Sequence, residues 1–147
     1  MSLSPPSADP ETQEFGTLFA PRFDANGLVT AVAVDHSSKR VLMVAHMNEE
    51  AIRETLRSGY AHYWSRSRAT LWKKGESSGE LQKLHALYVD CDQDAVIAEV
   101  SVEGRGSACH NGFASCFYRV VEAENGDLTL RTNDAPLVSK QALYGDG

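Results

Sequence analysis

Three aspartates and all three cysteines of the chain fall within one short window: Asp90-Cys91-Asp92-Gln93-Asp94, followed by Cys109-His110-Asn111-Gly112-Phe113-Ala114-Ser115-Cys116. Thiolates suit Zn²⁺ and a trio of carboxylates suits Mg²⁺, because the hardness of each donor decides which ion it keeps. Structural zinc sites take four protein ligands, whereas catalytic sites take three and leave the fourth position to water. Three cysteines match the second case, so Cys91, Cys109 and Cys116 are candidate zinc ligands and Asp90, Asp92 and Asp94 candidate magnesium ligands. If residues 90–92 continue a strand, Asp90 and Asp92 face one way and Cys91 the other, which keeps two ions apart. His110 adjoins a thiol, awkward for binding the same ion but suited to reaching a water beside it, so it reads as a general base or proton shuttle. The residues leave open buried free thiols, a solvated acidic turn, and His110 as a fourth ligand.

A second constellation runs from Tyr63 to Gly79 and holds both tryptophans, Trp64 and Trp72. Arg66, Arg68, Lys73 and Lys74 make a positive island in a chain of net charge -6. Hydroxyls and glycines surround these cations, which is what recognition of phosphate requires. The candidate ligand contacts are Trp64, Ser65, Arg66, Arg68, Trp72, Lys73, Lys74, Gly75, Glu76 and Ser77. A phosphorylated, nucleotide-like small molecule fits them, with an aromatic ring available to stack on a base; single-stranded nucleic acid is the weaker alternative. His36, His46, His62 and His85 read as surface or satisfied core positions.

A net charge of -6 repels nucleic acid and anionic membrane surfaces, so a small-molecule partner is expected. No apolar run is long enough to span a bilayer, and Met1-Ser2-Leu3-Ser4-Pro5-Pro6 lacks a secretory pattern, so a cytoplasmic protein is expected. Three cysteines in a reducing compartment argue against a disulfide framework.

The elements that must position these residues are short. Residues 1–14 have no apolar periodicity and are expected to form a disordered tail outside the core, leaving one domain over 15–147. Two apolar runs, 28–34 and 40–45, flank the turn-forming Asp35-His36-Ser37-Ser38 and predict a hairpin. Asn48 can cap a helix with Glu49 and Glu50 in its first turn, Ala51, Ile52, Thr55 and Leu56 on one face, and Gly59 past its end. Extended segments are expected at 60–65, at 84–91 and through Val96, Ala98, Val100 and Val102, then at 117–121. Glu124-Asn125-Gly126-Asp127 predicts a hairpin turn into 128–130, while the stretch after Thr132 gives no clear pattern. The fold class is mainly β or α+β: one strand-rich domain with one or two helices.

Taken in order, WSRSR, LWKKGESSG, DCDQD and CHNGFASC make the chain resemble the phosphoribosyl-AMP cyclohydrolases over roughly Val41 to Arg119. The resemblance implies hydrolytic opening of the adenine ring of phosphoribosyl-AMP at its N1–C6 bond, a step of histidine biosynthesis. It also implies zinc on Cys91, Cys109 and Cys116, magnesium on Asp90, Asp92 and Asp94, and His110 helping to remove a proton from water. The family is an intertwined homodimer in which Cys91 of one chain joins Cys109 and Cys116 of the other. The chain departs from the family's usual wording at His46, Asn111 and Phe113-Ala114, none of them an implied metal ligand. Few residues follow Arg119, so a single reaction step is expected. Two rivals stand against this reading. A zinc nucleobase deaminase needs His-x-Glu and Pro-Cys-x-x-Cys, which the sequence lacks; a binding module with structural zinc would have its fourth coordination position closed.

Overall fold

The computed structural model describes residues 2–144, in the order α1 (Pro10–Phe15), β1 (Val29–Asp35), β2 (Val41–Met47), α2 (Glu49–Ser58), β3 (His62–Ser65), β4 (Thr70–Lys73), β5 (Gln82–Val89), β6 (Ala95–Val102), β7 (Arg119–Glu124), β8 (Asp127–Thr132) and α3 (Lys140–Tyr144). The fold is α+β: three short helices accompany a strand-rich domain. Asp35 closes the first hairpin, its carboxylate accepting from the Ser38 amide at 2.7 Å. The main sheet has the order β2-β1-β6-β5, with β1 and β6 parallel and the outer pairs antiparallel. Side chains alternate across a strand, so Val29, Ala31 and Ala33 of β1 line up with Val96, Ala98 and Val100 of β6 in one buried layer.

Helix α2 packs mainly on β3, and its buried face joins the same core. Asn48 accepts from the Ala51 amide at 2.8 Å, Glu49 and Glu50 sit at the positive end, and Gly59 stops the helix in the left-handed region at φ 79°. Its inner face, Ala51, Ile52 and Thr55, is buried. Enclosing Ile52 alone contributes roughly 1.5–3 kcal/mol. Strands β3 and β4 form a separate antiparallel pair in which buried Tyr63 stands opposite Trp72, their rings tilted with centroids 5.7 Å apart. The β7–β8 ribbon turns at Asn125-Gly126, both at positive φ, and is exposed on almost every residue.

Two expectations need correction. The N-terminal stretch is not a loose tail within the described residues, because Leu3 packs on the core, Pro10–Phe15 is helical and Gln13 is buried. Apolar periodicity was the wrong signal for it: side-chain amides rather than an apolar face hold it down. Nor does a strand run through residues 90–92; β5 ends at Val89 and the acidic residues sit on a turn. Strand β4, Thr70–Lys73, was not expected at all, because polar residues of the cationic segment hide its two-residue period. Among the described residues no helix is long and apolar enough to cross a membrane.

Candidate active site

The acidic turn is built on itself and braced from behind. Asp90 Oδ1 accepts from the amides of Asp94 at 3.0 Å and Ala95 at 3.1 Å, folding the loop so that its carboxylates converge. Gln93 takes the left-handed conformation, φ 63°, and turns its buried amide away from them. That amide donates to the Gln13 carbonyl at 2.9 Å and accepts from the Ala20 amide at 2.8 Å, while Gln13 donates to the carbonyls of Ala20 at 2.9 Å and Asp92 at 3.3 Å. Asp90, Asp92 and Asp94 each offer an oxygen within 4.8 Å of the others. The crowding pushes the Asp94 carboxyl up to about 6, first through its hydrogen bond with Asp90 and then through that with Asp92. Cys91 is exposed on the same turn and faces a cavity of about 490 Å³ between this loop and the segment from Gln13 to Phe19.

The other two thiols come from the loop after β6. Buried Glu80 receives that loop: its carboxylate accepts from the amides of Arg105 at 2.8 Å and Gly106 at 2.9 Å. Ser107 then donates to the carbonyls of Cys109 at 2.8 Å and Phe113 at 3.0 Å, and the Cys116 amide donates to Leu42 at 2.7 Å. The result sets Cys116 beside Cys109, within hydrogen-bonding reach. Cys116 reaches the surface, yet desolvation, followed by the neighbouring Cys109, pushes its thiol up to about 11. The Asn111 amide points at the Cys109 sulfur from 3.4 Å. Lys74 is buried against both sulfurs and Glu80; burial lowers its pKa, and those three groups oppose the change.

A cleft of about 690 Å³ joins this loop to the cationic segment. Of the expected ligand contacts, Ser65, Arg68, Trp72 and Lys74 line it, as do Gly75, Glu76 and Ser77. His110, exposed beside the buried Cys109, lines it too. Trp64, Arg66 and Lys73 do not. Alternation along β3 separates Trp64 from Ser65. Lys73 lies 5.3 Å from the Tyr60 ring, and the charge of Arg66 reaches His46, whose pKa is lowered first by burial and then by that guanidinium. Lys140 and Tyr144 of α3 complete the cleft and were missed. Ser139, whose hydroxyl accepts from the Ala142 amide at 3.0 Å, was the available signal for a helix start. Among the remaining histidines, His36 stacks on His85 at 3.8 Å and bonds Glu99, and His62 is buried; all three are surface or satisfied core positions, as expected. Two departures from the family wording pair locally, Phe113 stacking on Tyr118 at 3.6 Å and Asn111 donating to the Tyr118 hydroxyl.

The donor chemistry suits two ions. Three converging oxygens on an exposed turn fit a hard divalent cation that fills its shell with water. Two adjoining sulfurs, one receiving an amide, fit a soft ion but fall short of a full set. Cys91 does not supply the third donor within one chain: it faces the other cavity, and among the described residues no trio of metal-ligating side chains includes it.

A sequence model of the family described as phosphoribosyl-AMP cyclohydrolase matches residues 43–118, which span the cationic segment, the acidic turn and both loop thiols. A Chelativorans sp. protein named phosphoribosyl-AMP cyclohydrolase is 56% identical over 133 residues, covering 90% of this chain and 96% of its own length. Proteins of the same name from Brucella anthropi, 58% identical over 128 residues, and Brucella canis, 55% over 131, cover 87% and 88% of the chain and 91% and 94% of themselves.

Proposed function

The chain belongs to the phosphoribosyl-AMP cyclohydrolase family, hydrolases of histidine biosynthesis, and on that premise we propose that it opens the adenine ring of phosphoribosyl-AMP at the N1–C6 bond, using zinc. The observation that carries this reading is the single cleft in which His110, next to Cys109, faces the cationic and hydroxyl-rich segment. A ligand phosphorylated at its ends and reactive at its base needs that combination.

Cys109 and Cys116, with Cys91 of a second copy of the chain, would hold Zn²⁺, and Asp90, Asp92 and Asp94 would hold Mg²⁺. What supports a shared site, and hence a homodimer, is that Cys91 stands exposed and apart from the adjoining pair. Bound there, zinc supplies Lewis acidity that makes water a nucleophile near neutral pH. The chain's own groups do the rest. His110 takes the proton from the attacking water at an imidazole nitrogen and can return it to N1 as the ring opens. Arg68 and the hydroxyls of Ser65 and Ser77 fix a phosphate, and Trp72 offers a face to the base, which holds C6 in reach of the water. Ribosylation at N1 makes C6 electron-poor, so substituted adenine rather than AMP reacts. Free thiols and a biosynthetic family accord with a cytoplasmic enzyme.

The test follows the ultraviolet change on ring opening, with and without a chelator. Wild-type protein that leaves phosphoribosyl-AMP intact in the presence of both ions would sink the proposal. His110→Ala is expected to cut turnover by about 10²–10⁴ with zinc content unchanged. Equal turnover removes His110 from the proton transfer.

A further inference from the structure

The stretch after β8, which carries no clear sequence pattern, is fastened to the thiol loop at several points. The amides of Leu137 and Val138 both donate to the Gly112 carbonyl, at 2.8 and 3.3 Å, inside the loop bounded by Cys109 and Cys116. Gly112 has φ 94°, and a Cβ built on it would overlap the Val138 carbonyl oxygen, so the two backbones lie closer than any side chain permits. Asp134 pairs with Arg40 at 2.9 Å, Arg105 donates to the Ala142 carbonyl, and Leu143 is buried. These anchors orient α3. Residues four apart on a helix share a face, and here Lys140 and Tyr144 both line the cleft that contains His110 and Arg68.

The substrate of the proposed reaction carries a phosphate at each end, and each dianion needs its own cation. Arg68, Lys74 and Lys140 are the lysines and arginines lining the cleft among the described residues. Lys74 is 8% exposed and its Nζ lies 5.3 Å from the centre of the Trp72 ring, so its charge is already engaged within the wall of the cleft. Arg68 lies on the β3–β4 turn with Ser65 and Ser67 beside it, which makes one phosphate seat. We propose that Lys140 is the cation of the second seat, and that residues 133–144 are a built wall of the substrate site. This deepens the function proposed above and rests on it.

Lys140→Ala and Lys140→Arg are compared with wild type in the ring-opening assay, with phosphoribosyl-AMP and with two analogues that each lack one phosphate. Lys140→Ala is expected to raise KM about tenfold or more while kcat stays within about twofold, as loss of one charge-assisted hydrogen bond requires. Lys140→Arg recovers most of the loss, and zinc content matches wild type. The penalty disappears on one analogue and persists on the other. An unchanged KM, or an equal penalty on both analogues, overturns the assignment. Calorimetric titration with AMP and with ribose 5-phosphate needs no turnover: Lys140→Ala should weaken one of them about tenfold. If wild type binds them and Lys140→Ala weakens neither, the phosphate seat is refuted even if ring opening is observed; if wild type opens no ring yet the selective weakening is seen, the seat stands and the reaction assignment fails.

Discussion

Glu80→Gln isolates one buried carboxylate while keeping its shape. Glu80 is 2% exposed, and its oxygens accept from the Arg105 amide at 2.8 and 3.0 Å, the Gly106 amide at 2.9 Å and Arg105 Nε at 3.3 Å. A glutamine can present only one oxygen. With that oxygen in the Oε2 place both amides keep an acceptor, but each bond loses its charge, and the glutamine nitrogen replaces the oxygen that accepts from the Arg105 amide at 3.0 Å. With each of the two amide bonds falling from about 1.5–3 kcal/mol for a charged acceptor to about 0.5–1.5 kcal/mol for a neutral one, the substitution costs about 2–3 kcal/mol. The Arg105 side chain is 46% exposed and its guanidinium turns to solvent at little cost, so the ion pair adds almost nothing. Denaturant unfolding measures the loss, with an unchanged slope showing that the folded state keeps its extent. The loop that Glu80 receives leads directly into Cys109, so zinc retention on dialysis should fall in parallel. A loss below about 1 kcal/mol would mean that solvent, not Glu80, satisfies those amides, and the account of how the thiol loop is held would be wrong.

Gly112→Ala puts a β-carbon where the Val138 oxygen sits and holds a strained positive φ, costing about 1–3 kcal/mol for the backbone alone; faster hydrogen exchange at the Leu137 and Val138 amides is the expected sign, and unchanged protection refutes it. Gln93→Ala removes the side-chain bonds to Gln13, Leu18 and Ala20 and should lower stability by about 2–4 kcal/mol. Limited proteolysis should then cut ahead of Ala20 sooner, and an unaltered digestion pattern counts against the clamp. The Glu99 carboxyl is held below its usual range, first by its hydrogen bond to His36. A depressed carboxyl contributes stability above its unfolded pKa and loses it as pH falls through the folded value, so Glu99→Gln should melt lower near pH 6 and converge with wild type near pH 3; a gap that widens in acid contradicts the pairing.

The elements that sequence foretold are those whose signals are local. Asn48 and Gly59 bracket α2 because a side-chain cap and a left-handed stop act within a few residues. The Asp35 and Asn125-Gly126 turns set their hairpins for the same reason. The β6 layer of Val96, Ala98 and Val100 follows from strict alternation. What escaped is held by distant partners. Gln13 looks like any polar residue until Gln93, 80 positions away, meets it. Lys140 sits in the cleft because Gly112, Arg40 and Arg105 fasten the segment around it. The composition of the metal-ligand candidates was visible in the window itself, yet the separation of Cys91 from Cys109 and Cys116 depends on where β5 stops, which no residue in the window announces.

Because β1 lies parallel to β6 at the centre of the main sheet, the order of synthesis matters. The ribosome releases β1 and β2 first, as a bare hairpin of the kind that is marginal alone in water. About 60 residues separate Asp35 from Ala95, roughly 3–12 s of translation at about 5–20 residues per second. Throughout that interval Ala31 and Ala33 lack Val96 and Ala98, their partners across the parallel pair. Nascent chains arrested before Ala95 therefore lack the strand that joins β1 to β5, and the main sheet cannot be completed until β6 is made.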